Sequence, residues 1–168
     1  TIVSGFGGYK RQYGTAFVID DVAYICCGDN NGTLVDDLWK FDGSDWKQLR
    51  DIANNDSDED YDDDYAITRA GTVSFVIDGR GYIATGTRSG VTSDYWVYDP
   101  EEDLWYGDSD DDYTPMTNVH NVSSGGSSRS YAVSFSTGKR GFVLSGSSGT
   151  SYFDDVYELL PYEQEDVD

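Results

Sequence analysis

The chain has 168 residues and a net charge of −21, from 11 basic and 32 acidic side chains. So acidic a surface repels phosphate backbones and anionic headgroups, which argues against nucleic acid and membrane-surface partners, and no apolar run approaches the roughly 20 residues a membrane helix needs. With 19 Gly, 14 Tyr and one Met, apolar runs built on Val, Phe, Tyr and Trp, and no stretch of helical apolar spacing over three turns, the sequence predicts an all-β chain of single-domain size.

In chain order, residues 1–10 form an N-terminal strand or tail whose "TIVSGFGG" is read as an outer strand able to complete a sheet. The chain starts at Thr1 with no initiator Met, signal peptide or lipidation box, the pattern of a mature or trimmed product. A first repeat fills residues 11–53. Its runs "GTAFVID" and "AYICCG" predict a hairpin, "DNNGTLVD" a loop, "DLWKFD" a third strand, "DGSD" a tight turn and "DWKQLR" a fourth strand bearing Trp46. Cys26 and Cys27 are adjacent, and strand neighbours point to opposite faces, so they read as two small buried hydrophobes rather than a disulfide.

An acidic loop follows over residues 54–68, then a second repeat over 69–116. Asp56, Asp58 and Asp60 have the alternate spacing of a calcium loop, yet the sixth position is Tyr61 rather than Gly and the twelfth carries no Glu. The competing reading is a solvated inter-repeat loop that holds no cofactor. The second repeat writes "GTVSFVID", "GYIATG", "DYWVYD" and "DLWYGD", the last with Trp105. A Ser- and Gly-rich linker, 117–128, contains the single histidine, His120. A third repeat, 129–168, carries "YAVSFST", "GFVLSG" and "DVYELL" without an evident fourth strand.

Aligned on Arg11, Arg69 and Arg129, the three repeats agree in spacing. Phe17, Phe75 and Phe135 lie six residues on, then Tyr24, Tyr82 and Phe142, then Gly28, Gly86 and Gly146, then triplets ending at Trp39, Trp96 and Tyr157. A fixed internal period signals a repeat architecture. The apolar runs are denser than strict alternation, which predicts sheets covered on both faces, with the four tryptophans filling the gaps between them.

This pattern resembles the kelch repeat across residues 11–157, and is most similar to kelch-like proteins exported by Bacteroidota. It departs from the family in closing the second strand with one Gly ("CCGD", "ATGT", "LSGS") where kelch repeats usually carry Gly-Gly. The resemblance implies β-propeller blades with the first strand innermost. Propellers close with about four to eight blades, so three four-stranded antiparallel repeats imply part of a larger propeller, or a half completed by a homodimer. It further implies a non-catalytic binding module for a protein or glycan ligand, placed in a bacterial periplasm or on a cell surface. Arg11, Arg69 and Arg129 would then stand near the mouth of the central channel, suited to a carboxylate-bearing ligand. Alternatively each arginine pairs with an acidic residue of a neighbouring copy, such as Asp37, Asp94 or Asp155.

Two rival functions stand beside this one: a carbohydrate-active or mutarotase-type propeller enzyme with its catalytic residues in further blades, and a purely structural surface-assembly module. Within these residues, a galactose-oxidase-like copper site would need two histidines, and a serine triad would hang on His120 without a Gly-x-Ser-x-Gly elbow. "SGFGGYK" and "STGKRG" fail the dinucleotide and P-loop patterns.

Overall fold

A computed structural model describes residues 5–53, 65–107 and 127–159. The described residues are all-β, without helix, and are arranged chiefly as three small antiparallel sheets, one per repeat. The first contains β1 (Thr15–Ile19), β2 (Val22–Cys26), β5 (Trp39–Phe41) and β6 (Trp46–Gln48), in the order β1-β2-β5-β6. A two-stranded ribbon, β3 (Asp29–Asn30) and β4 (Thr33–Leu34), decorates its second connection. The second sheet holds β7 (Val73–Ile77), β8 (Arg80–Ala84), β9 (Tyr95–Asp99) and β10 (Leu104–Gly107) as a simple meander. In the third, β11 (Val133–Ser136), β12 (Gly141–Leu144) and β13 (Val156–Leu159) follow the same path with no fourth strand among the described residues.

Local chemistry explains each meander. In the β7–β8 turn Asp78 and Gly79 have φ of 47° and 78°, and in the β1–β2 turn Asp20 and Asp21 have 47° and 64°. Two successive left-handed residues match the right-handed twist of the strands they join, and Asp and Gly tolerate that conformation. The registers coincide: Phe17 faces Tyr24, Phe75 faces Tyr82 and Phe135 faces Phe142, each pair with stacked rings.

The sheets stack through their first strands. One core cluster lies between the first and second sheets and joins Phe17, Tyr24, Cys26 and Leu38 to Ile83, Tyr98 and Trp105. A second joins Phe75, Tyr82 and Val97 to Val143 and Leu159, between the second and third. The second sheet is therefore covered on both faces, as the dense apolar runs predict, whereas β11 of the third alternates between exposed and half-buried residues.

Two further expectations hold only in part. Of the N-terminal strand or tail, residues 1–4 lie outside the described residues and residues 5–8 form no strand; Phe6 sets its ring edgewise against Trp39 and Trp46, and Gly7 and Gly8 let the chain lie on the Trp39 indole. Of the tryptophans, Trp105 fills the gap between sheets, with Trp96 packed at its margin, while Trp39 and Trp46 cover the outer end of the first sheet. An indole carries a large apolar face whose cover is favourable, and here the N-terminal segment supplies it. No helix among the described residues is long and apolar enough to cross a membrane.

Candidate functional site

The three aligned arginines anchor one end of the three sheets. Each enters its first strand from a short segment that pairs with the chain just beyond the second strand of the same repeat: Gln12 with Asp29, Ala70 with Thr87 and Ser130 with Ser147. The residue two before Asp29, Thr87 or Ser147 is left-handed (Cys27, Thr85 and Ser145, φ 61°, 62° and 59°), and the glycine after it has φ near 107°, 105° and 92°. A β-carbon on Gly28, Gly86 or Gly146 would press on the carbonyl of Gln12, Ala70 or Ser130, within 3.0 Å in each case. Glycine is needed there for both reasons.

That left-handed residue turns its carbonyl toward the arginine. Arg11 donates from Nη1 to the Cys27 carbonyl at 3.2 Å, Arg69 to Thr85 at 3.1 Å and Arg129 to Ser145 at 2.9 Å. From Nε they donate to Tyr9, Ile67 and Ser127, two residues back. Each guanidinium then meets the carboxylate that precedes its own third strand: Asp37, Asp94 and Asp155. Arg69 and Asp94 pair in a two-point fork, 2.9 and 2.8 Å, the geometry in which a guanidinium binds a carboxylate most strongly.

The acidic partners are those named from the sequence, but the pairing lies within each repeat rather than between neighbouring copies. The reason is geometric: the left-handed turn brings the end of the second strand and the start of the third around one arginine. Arg69 and Arg129 are fully buried. Burial raises the Asp94 carboxyl, yet the bonds and charge of Arg69, helped by Thr92 and Trp96, outweigh it and hold Asp94 below the usual carboxylate range. The Arg129 hydrogen bond does the same for Asp155. Arg129 also lies over the Phe153 and Tyr157 rings, at 4.6 and 5.0 Å.

Around this frame, sequence reasoning overlooked one repeat position, two residues after each arginine. It carries Tyr13, Gly71 and Tyr131, all left-handed, with φ of 58°, 65° and 54°. The Gly71 N–H donates to the Tyr13 carbonyl and the Tyr131 N–H to the Gly71 carbonyl, both at 2.9 Å. The Tyr131 ring lies where a Gly71 side chain would be, and reaches Tyr13 edge to face at 5.3 Å. Both tyrosines are exposed, 51% and 57%. Reading that column of the repeat alignment would have found them: two aromatics flanking a glycine.

The cysteines are buried free thiols, as expected, though not on opposite faces. The left-handed backbone at Cys27 ends the strand alternation, so both side chains turn inward. Their mutual hydrogen bond and then burial push the Cys26 thiol up, and the same bond lowers Cys27. The calcium candidate Asp56, Asp58 and Asp60, and His120, lie outside the described residues. Among the described residues no cluster of three or more His, Cys, Asp or Glu is placed to hold a metal. No family model matches the sequence, and no curated protein matches it.

Proposed function

We propose that this chain is a segment of a kelch-type β-propeller that serves as a non-catalytic binding module for a protein or glycan ligand outside the cytoplasm. The Tyr13–Tyr131 pair carries the reading: an exposed aromatic contact between residues of the first and third repeats, seated over Gly71 of the second. Tyrosine supplies a large rigid face with a polar tip, which is why it is enriched where proteins bind partners. Left-handed backbone at a bulky residue costs of order 1 kcal/mol and persists where the surroundings enforce it, as at binding sites. Arg11, Arg69 and Arg129 enter as the frame: they hold the connections 29–36, 87–93 and 147–154, whose sequences differ, on the tyrosine end of the sheets. A constant scaffold presenting variable loops is the usual arrangement of a recognition surface.

The test is binding of the 168-residue chain to an array of neutral and acidic oligosaccharides and to a panel of immobilised surface proteins. The double variant Y13A/Y131A should lose at least about tenfold in affinity for whichever ligand is found, with an unchanged β-sheet circular dichroism spectrum. Full binding by the variant would move the contact away from this rim.

A further inference from the structure

The interfaces between the sheets repeat one another in detail. Where the first sheet meets the second, the Phe17 ring occupies the space a Gly81 side chain would need, and the Ser74 hydroxyl donates to the Ala16 carbonyl at 2.7 Å. Where the second meets the third, the Phe75 ring sits against Gly141 in the same way, and the Ser134 hydroxyl donates to the Ser74 carbonyl at 2.7 Å. The backbone repeats too: the Gly28 N–H donates to the Arg69 carbonyl and the Gly86 N–H to the Arg129 carbonyl, at 2.7 and 2.8 Å.

The third sheet offers the same features again, and among the described residues nothing is set against them. Phe135 is 49% exposed where its counterparts Phe17 and Phe75 are each 4%, and Val133 and Val156 are exposed beside it. Among the described residues the Gly146 N–H has no backbone carbonyl partner. From this we infer that the Phe135 face docks a further repeat of the same kind, outside these 168 residues, with glycine at the head of its second strand and a hydroxyl side chain five residues after its arginine. The first sheet of a second copy does not qualify. Register places Ala23 opposite Val18, as Gly81 is opposite Val76 and Gly141 opposite Ser136. Ala16 likewise stands where the other repeats have Ser74 and Ser134. A copy docked head to tail would drive the Ala23 methyl group into the Phe135 ring and leave the Ser134 carbonyl without its donor. Mutual repulsion between chains of net charge −21 adds to the mismatch.

This rests on the reading that further sheets continue the stack, and states what they must carry. Sedimentation velocity at high salt, where surface repulsion is screened, tests it. The wild-type chain should remain monomeric. A16S/A23G should self-associate at least about tenfold more tightly, and adding F135D should return it to monomer. Wild-type association abolished by F135D would overturn the inference while leaving the open stack standing, and a monomeric, folded A16S/A23G would overturn it as well. Inside the chain, G141A should speed amide exchange in β11 and β12; unchanged exchange would refute the glycine requirement. Slow exchange throughout β11 of the wild-type monomer, matching β7, would instead sink the open stack itself.

Discussion

The second and third sheets carry closely matched residues in matched registers, and their neighbours make them behave as different materials. Val73 and Val133 occupy the same position four residues after their arginines, yet Val73 is 6% exposed and Val133 57%. Phe75 and Phe135 both stack on the aromatic opposite, but Phe75 is sealed by Gly141 and Ile77 lies fully buried beside it. A strand's sequence prepares a face for burial; whether burial happens depends on what is stacked next to it. The hydrophobic contribution follows the area removed from water, so identical side chains stabilise the two sheets unequally.

The sharpest way to break the comparison is truncation of the two phenylalanines. Phe75→Ala should cost about 3–5 kcal/mol in equilibrium denaturation, the usual range for a buried ring, while Phe135→Ala should cost well under half of that. Equal losses would mean that the third sheet is covered in solution. Next in size is Arg69→Met, which strands the Asp94 carboxylate among buried carbonyls and should cost about 3 kcal/mol. Arg11→Met should cost a similar amount: Arg11 is slightly more open than Arg69, with 9% of its side chain exposed against none, but Asp37 is the more deeply buried carboxylate, 3% exposed against 29% for Asp94. Gly81→Ala and Gly141→Ala should each cost about 1–3 kcal/mol by overpacking, whereas Ala23→Gly should cost only the ~0.5–1 kcal/mol of a glycine within a strand.

The smallest effect is the dependence on pH. Asp94 and Asp155 are held below the ordinary carboxylate range by Arg69 and Arg129. A depressed carboxylate contributes stability that is complete above its unfolded value, about 3.9, and is lost as pH falls through the folded one. Denaturation curves below pH 4 should therefore weaken progressively, and Asp155→Asn should flatten that slope without removing it. At the alkaline end Tyr98 works in the opposite sense. Burial, then its hydrogen bond to Asp103, raises its hydroxyl above the ordinary tyrosine value. The stability this neutral phenol confers is present below pH ~10 and declines above it, an effect that Tyr98→Phe should remove.

Much of the fold is legible along the chain because its causes are local. Turn residues Asp78 and Gly79, the fixed spacing from each arginine to its phenylalanine and glycine, and the apolar density of "SFVI" and "YIAT" locate the strands directly. The fate of the arginines was less legible. Asp37, Asp94 and Asp155 are visible as partners, but pairing within one repeat depends on a left-handed carbonyl at Cys27, Thr85 and Ser145, and ordinary side chains at those positions do not announce it. The Tyr13–Tyr131 contact was least legible, because it joins residues 118 positions apart through a space left by Gly71.

By itself the sequence determined strand type, hairpin order and the threefold spacing, since backbone preference and turn chemistry act over a few residues. Only the tertiary structure decided which faces are sealed, which charges are buried, and that Gly81 and Gly141 admit a phenylalanine ring where Ala23 bears a methyl group. Those outcomes depend on the shape of the neighbouring sheet, and close packing leaves no room for even one added methyl group at either glycine.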